Sequence, residues 1–234
     1  RVLAATPAEQ RPILCAATGP GPVDEELGGF APIGDNDWSG LPIRDSITEV
    51  VGCPTILEST GRAYALASSE GSSAIGLHLG DDVDGGVVVG GRLLQGERGS
   101  AGAFAHLAVD VEGRPCVCGK SGCLDSYASV RGIEATTGRG LVSTPSSLIT
   151  QSGMMVARAC ASLAAMLDIQ RIRIGGVVVE AFRETFIESM RDELAERTRL
   201  SHLKQLDVGV AQLHVLAGAS AVALAADSLR LDTA

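Results

Sequence analysis

Three of the six cysteines in this 234-residue chain lie within eight positions, as Cys116, Cys118 and Cys123, and His106 lies ten residues before the first of them. Tetrahedral zinc takes four nitrogen or sulfur ligands, and a Cys-x-Cys-Gly-x-x-Gly-Cys segment with one distal histidine supplies four. Because all four ligands would be protein groups, the predicted site is closed. We therefore expect one structural zinc ion per chain rather than a hydrolytic centre.

The alternatives for this cluster are a disulfide or plain buried thiols. Cysteines two positions apart are poorly placed to bridge each other, and disulfides are rare in cytoplasmic proteins. The other three cysteines, Cys15, Cys53 and Cys160, are isolated in apolar surroundings. We interpret them as small core residues.

Composition limits the partners of the chain. The formal net charge is -9, and an acidic surface repels nucleic-acid phosphates, so we expect no DNA binding by these residues alone. The apolar runs are too short to cross a membrane, and Arg1 is not followed by the apolar segment of a signal peptide. These features predict a soluble, cytoplasmic protein without membrane contact.

The elements that must position these residues alternate between strands and helices. Short apolar runs bounded by turn residues predict strands, Ser59 and Thr60 precede an alanine-rich segment as a helix N-cap would, and longer segments with helical spacing predict helices. This alternation predicts an α/β fold built in layers. The predicted strands are about 12–18, 55–58, 74–79, 86–90 and 171–176, and the predicted helices are about 43–51, 150–167, 179–197 and 216–230.

The stretch 86–129 resembles the ROK family, which groups repressors, open reading frames and sugar kinases. The resemblance rests on GGRLLQGERGSAGAFAH followed by CVCGKSGCLD, with supporting matches in GPGPVD at 19–24, Trp38 before LPI, and RIRIGG at 171–176. It covers nearly the whole chain. It implies an actin/ribonuclease-H-like two-domain fold with a zinc knuckle and a ligand cleft between the domains.

By this resemblance, residues 1–58 plus 217–234 form a small α/β domain, and residues 59–216 form a large zinc-containing domain. The family's opening Asp-x-Gly-x-Thr strand has no match in residues 1–15, so we expect the small domain to be incomplete at its N-terminus. The helix-turn-helix module of ROK repressors has no match either.

ROK kinases transfer the γ-phosphoryl group of ATP to a sugar hydroxyl, which requires a carboxylate base, a cradle of N–H groups and Mg²⁺. The Asn-Asp pair that supplies the family's base aligns with Ser59-Thr60, and a threonine hydroxyl is no base near neutral pH. A shifted alignment with Glu58 as the base is the alternative. On the main alignment, no catalytic residue remains.

The family's glycine-rich phosphate loop becomes LGDDVDGG, which puts Asp81, Asp82 and Asp84 where phosphates should lie. A carboxylate ~4 Å from a phosphate oxygen costs about 4 kcal/mol at an effective dielectric constant of 20. Three acids in four positions could hold Mg²⁺ or Ca²⁺. A solvated hairpin turn is favoured, because acidic turns are common.

The family's sugar contacts are also reduced, since its glutamate and the following glycine become Ala103 and Ala105. The resemblance leaves His106, which would bind zinc through one ring nitrogen and the sugar through the other, and an acid at Asp125. Together with Ser59 and Thr60, these are the predicted ligand-binding residues.

Loss of the base, the cradle and the sugar acids favours the effector-sensing, dimerising part of a ROK-type transcriptional regulator without kinase activity. It would be a homodimer that binds a sugar or sugar phosphate, and it would reach DNA only through an N-terminal module that this chain lacks. One alternative is an ATP-dependent sugar or amino-sugar kinase with an atypical site, whose turnover would disappear on changing Glu58 or Asp82. The other is a non-catalytic dimerisation scaffold.

Overall fold

The structure is a computed structural model that describes residues 12–31 and 40–211. Its α-helices are α1 (Ile43–Val51), α2 (Thr60–Ser68), α3 (Asp125–Ala128), α4 (Val130–Thr137), α5 (Ser146–Leu167) and α6 (Val177–Arg197). Its strands are β1 (Cys15–Gly19), β2 (Val23–Asp24), β3 (Gly29–Phe30), β4 (Thr55–Ser59), β5 (Ala74–Leu79), β6 (Val83–Val89), β7 (Arg92–Leu93), β8 (Arg171–Gly175) and β9 (Asp207–Val210).

A five-stranded mixed sheet in the order β7-β6-β5-β8-β9 forms the centre of the molecule. Strands β5, β8 and β9 run parallel, and β6 and β7 are antiparallel additions at one edge. Ile75 pairs with Ile172 and Leu77 with Ile174, and all four side chains are fully buried. Along β5, Ala74 to Leu77 are all buried, and such continuous burial is typical of parallel strands that are covered on both faces.

Helices cover both faces of this sheet. The alternation along β6 shows the two sides, because Val87 belongs to the large core shared with α5 and α6, whereas Val88 packs with Ala63 and Leu66 of α2. The α/β layers expected from the sequence are confirmed. Among the described residues, no helix is long and apolar enough to cross a membrane.

The first part of the chain builds separate, smaller sheets. Strand β1 pairs in parallel with β4, and β2 pairs with β3 in a hairpin. Helix α1 buries no residue and ends at Gly52, whose left-handed conformation lets its N–H bond the carbonyl of Thr48. The division into 1–58 plus 217–234 and 59–216 remains a prediction, and the segment 217–234 and the helix predicted at 216–230 lie outside the described residues.

Several boundaries differ from those expected. Strand β1 starts at Cys15, whereas the sequence predicted a strand from residue 12, and Pro12 has no N–H for a strand ladder. Helix α5 begins at Ser146, directly after the extended residue Pro145. Helices α3 and α4 were not predicted, because small polar residues dominate 125–137 and α4 buries only Ile133.

Candidate functional site

The four predicted metal ligands lie together. The ligand atoms of His106, Cys116, Cys118 and Cys123 are all within 4.8 Å of one another. The His106 Nδ1 to Cys116 Sγ distance is 3.6 Å, and the Cys118 Sγ to Cys123 Sγ distance is 3.7 Å. Tetrahedral zinc with bonds of about 2.3 Å requires ligand separations of about 3.8 Å, so the donor set fits zinc in both chemistry and size. The six cysteines are free thiols.

Backbone hydrogen bonds shape the cysteine loop. Cys116 N–H donates to Lys120 O over 2.8 Å, and Gly122 N–H donates to Arg114 O over 2.8 Å. Gly122 has φ +74°, and a Cβ atom there would lie 1.5 Å from Asp110 O, so only glycine fits. The sequence motif thus combines thiol ligands with the glycine that the turn requires.

A cleft opens beside this cluster, outside the carboxyl ends of β4 and β5, where α/β proteins commonly bind ligands. It is bounded by the turn after β1, the start of α2, the β5–β6 turn, the loop before His106 and the start of α4. The lining residues are Gly21, Pro22, Ser59, Arg62, Asp82, Val83, Asp84, Ser100, Gly102, Ala103, Ala105, His106 and Arg131.

Asp84 is anchored at the first turn of α2. Its Oδ2 accepts from Gly61 N–H over 2.7 Å, its Oδ1 accepts from Gly85 N–H over 2.8 Å, and the Ser59 hydroxyl donates to the same carboxylate. The helix start can approach β6 this closely because residue 61 is glycine, where a Cβ atom would lie 2.2 Å from Gly85 N.

Burial is the dominant influence on the acidity of this group. It raises the pKa of Asp84 to about 6, although the hydrogen bonds from Gly61, Ser59 and Gly85 act in the opposite direction, and the negative charge of Asp82 adds to the increase. In its ionised form, this carboxyl group can accept a proton from a bound ligand.

Arg62 is a buried cation whose donors are all used. Its Nε and one amino group bond the Oε1 and Oε2 of Glu58 at 2.7 and 3.2 Å, and the remaining N–H groups reach Leu94 O, Ala101 O and Gln95 Oε1. Glu58 is thereby held in an ion pair with Arg62, and its Oε1 also accepts from Ser59 N–H. These partners leave Glu58 poorly placed for the role of base that a shifted alignment would give it.

The four predicted ligand-binding residues occupy different places. Ser59 and His106 line the cleft. The Thr60 hydroxyl donates to Gly19 O at 3.1 Å, and Thr60 is not among the lining residues. Asp125 is 2% exposed, accepts from Val83 N–H and from Arg131, and does not line the cleft. The ligand contacts of all four residues stay predictions.

The acidic segment forms the turn between β5 and β6, with Gly80 N–H bonded to Asp82 O. Only Asp81 is exposed. Asp82 is half-buried in the cleft wall, where burial and the charge of Asp125 raise its pKa while Arg131 lowers it. The hairpin turn favoured from the sequence is present, but two of its three carboxylates are not freely solvated.

The presence of Arg62 and Arg131 in this cleft was not predicted from the sequence, and neither was the inward position of Asp84. A signal for Asp84 was available, because an acid followed by two glycines interrupts the apolar strand 83–89. For Arg62 the local signal was its ion-pair partner Glu58, four residues before it, whereas its other partners, Leu94, Gln95 and Ala101, are distant in sequence.

Comparison with known proteins decides the family. The model of the ROK family matches residues 5–227. The chain belongs to the ROK family. The resemblance seen in the sequence is therefore confirmed, and the mixed α/β fold is that of the ROK sugar kinases, which have the actin-like, ribonuclease-H-like architecture.

Several of the similar proteins are named as kinases. The N-acetylmannosamine kinase of Citrobacter koseri is 30% identical over 192 residues, which are 72% of this chain and 66% of that protein. The chain thus spans just under two thirds of that kinase. The crystal structure of a ROK hexokinase from Thermus thermophilus is 27% identical, has a TM-score of 0.76 and is matched over 93% of this chain and 79% of that chain.

The interpretation as an effector-sensing, DNA-directed regulator without kinase activity was wrong. A ROK family transcriptional regulator, a homologue of the E. coli MLC protein, matches with a TM-score of 0.70 but only 22% identity, and this likeness extends to the fold alone. The two kinases described above are more similar to this chain in sequence than this regulator is, at 30% and 27% identity. The interpretation took the missing acid at Thr60 as a missing carboxylate in the cleft, whereas the Asp84 carboxylate lies against the adjacent residue, Gly61.

Proposed function

We propose that this chain is an ATP-dependent kinase that phosphorylates a hydroxyl group of a hexose or an N-acyl amino sugar. The observation that carries the proposal is the 30% identity to an N-acetylmannosamine kinase over 72% of the chain. The ROK hexokinase of Thermus thermophilus supports the broader class of substrate. The cleft at the carboxyl ends of β4 and β5 is the proposed sugar site.

The lining of the cleft suits a polyhydroxylated ligand. Ser59, Asp84 and His106 all line it. Since His106 Nδ1 faces Cys116 Sγ, its Nε2 is the ring nitrogen available to a sugar hydroxyl. Ala103 leaves space where the family pattern has a glutamate, so a substituent on the sugar ring could be accommodated there, whereas Ala105 adds a methyl group where the family pattern has a glycine.

Arg131 is the cleft cation with unused donors. One amino group pairs with Asp125 at 3.0 Å, while its Nε has no hydrogen-bond partner among the described residues. The guanidinium side chain is 40% exposed. We propose that Arg131 binds the negatively charged phosphoryl groups of ATP, where its charge would offset the repulsion between these groups and Asp82.

Zinc at the His106, Cys116, Cys118 and Cys123 cluster is proposed as a structural ion. When bound, it supplies a crosslink that fixes the ring orientation of His106 at the cleft wall. The two-domain division, the homodimer and the cytoplasmic location stay predictions alongside this proposal.

The test is a coupled assay of ADP release with ATP, Mg²⁺ and a panel of N-acetylmannosamine, N-acetylglucosamine, glucose and mannose. We expect saturable turnover with at least one of these sugars, and none with ATP alone. The variant Arg131→Met should raise the KM for ATP. Absence of turnover with every sugar at millimolar concentration would contradict the proposal.

A further inference from the structure

We propose that Asp84 is the catalytic base of this chain, accepting the proton of the sugar hydroxyl as the hydroxyl oxygen attacks the γ-phosphorus of ATP. This inference rests on the proposed kinase function and adds to it the group that replaces the acid missing at Thr60. The base comes from the second strand of the β5–β6 hairpin instead of from the helix start.

The position of the Asp84 carboxylate supports its role as the base. Helix α2 begins at Thr60, and the Asp84 carboxylate lies 2.7 Å from the N–H of the next residue, Gly61. It therefore lies at the same helix start as the family's base, although it belongs to a strand 24 residues further along the sequence. The first-turn N–H groups also favour the ionised carboxylate that a base requires.

The hydrogen bonds of the Asp84 carboxylate also support this role. A carboxylate offers about four lone-pair sites, and Gly61 N–H, Gly85 N–H and the Ser59 hydroxyl occupy three of them. No fourth hydrogen bond to this carboxylate is present among the described residues, and Asp84 lines the cleft. The three donors fix the carboxylate in place and leave one acceptor position for the hydroxyl group of a ligand.

The other acids near the cleft are less suitable. Glu58 is paired with Arg62, and both oxygens of Asp125 are bonded, one by Val83 N–H and one by Arg131. Asp82 lines the cleft as well, but no hydrogen bond from the start of α2 orients its carboxylate. Asp82 is the competing candidate, and the experiment must separate it from Asp84.

The chemical step balances with ATP as the phosphoryl donor. The sugar oxygen forms a bond to the γ-phosphorus, and the bond from that phosphorus to the bridging oxygen breaks, which releases ADP. The hydroxyl proton moves to the free Oδ position of Asp84 and is later lost to solvent. Products are the sugar phosphate, ADP and one proton.

The titration of Asp84 should govern the acidic limb of the pH profile. Burial raises its pKa to about 6, so kcat/KM should fall about tenfold per pH unit below that value as the base becomes protonated. Four ionisable groups line the cleft with Asp84, from the β5–β6 turn, α2, the segment between β7 and α3, and α4. These groups are Asp82, Arg62, His106 and Arg131.

The experiment compares Asp84→Asn, Asp82→Asn and Asp81→Asn with the parent protein. Asp81→Asn is the matched control, because Asp81 is an exposed acid of the same turn and does not line the cleft. We expect Asp84→Asn to lower kcat by about 10²- to 10⁴-fold, to abolish the acidic limb near pH 6, and to leave calorimetric sugar binding nearly unchanged. The variant Asp81→Asn should retain both the kcat of the parent protein and the acidic limb of its pH profile.

Two results would overturn the assignment of Asp84. One is an Asp84→Asn variant that binds sugar and keeps the acidic limb, whatever its rate, because a purely structural role would leave the limb in place. The other is loss of the limb in Asp82→Asn but not in Asp84→Asn. A parent protein that phosphorylates no sugar would instead overturn the proposed function itself.

Discussion

Replacing Arg62 by methionine should destabilise the protein more than any other exchange of one polar side chain in the cleft. The side chain of Arg62 is 4% exposed and that of its partner Glu58 is 11% exposed. Methionine has a similar length but no donor, so the Glu58 carboxylate loses its cation, and the carbonyls of Leu94 and Ala101 lose their donors.

The expected magnitude follows from this burial. Removing one partner of a buried ion pair costs about 3–5 kcal/mol. For a chain of 150–250 residues, each kcal/mol lowers Tm by roughly 2–4 °C. We therefore expect Tm to fall by about 6–20 °C. The KM for the sugar should also rise, because Ala101 directly precedes cleft residues Gly102 and Ala103.

Thermal and urea unfolding followed by circular dichroism measure the loss. Arg44→Met is the control, since Arg44 pairs with Glu25, whose side chain is 68% exposed, and an exposed pair contributes about 0–1 kcal/mol. Adding Glu58→Leu to Arg62→Met should recover part of the stability by removing the unpaired buried acid. If Arg62→Met unfolds within 1 °C or so of the parent, the buried-pair reasoning is refuted.

Two further predictions concern the metal cluster and Asp84. Elemental analysis of the reduced parent protein should find about one zinc per chain. The variant Cys118→Ser should hold no zinc and have a lower Tm, whereas Cys15→Ser, which lies outside the cluster, should keep the metal. A zinc-free parent protein would contradict this prediction. Because the pKa of Asp84 is raised from 3.8 to about 6, its contribution to stability is largest below pH 4 and is lost as the pH rises through 6. The Tm of Asp84→Asn should therefore increase relative to the parent between pH 4 and 7, and a difference that does not vary with pH would contradict the burial of this carboxylate.

The sequence predicted the features that depend on local spacing. The cluster of His106 with three thiols could be found because its ligands and turn glycines lie within eighteen positions. Helix α2 was predicted with Ser59 near its start, and Ser59 is its N-cap. Strand β5 was predicted from an apolar run, which reflects burial on both faces, and β8 from its alternation of arginine and isoleucine, of which the isoleucines are buried.

Features that depend on distant contacts were not predictable in this way. The position of Asp84 requires that Gly61 allows α2 to approach β6, a contact across 23 residues. The Arg62 network spans up to 39 residues and ends on backbone carbonyls, which no side-chain pattern records. A comparison of aligned positions therefore registered the loss of the acid at Thr60 but not the carboxylate brought to the same helix from β6.

The most direct test of the account is identification of the reaction product. The parent protein, incubated with N-acetylmannosamine, ATP and Mg²⁺, should yield a phosphorylated sugar detectable by mass spectrometry and by phosphorus NMR, with ADP formed in equal amount. The same incubation with Asp84→Asn should yield far less product at neutral pH. If neither this sugar nor the other members of the panel is phosphorylated, the cleft is not the active site of a sugar kinase.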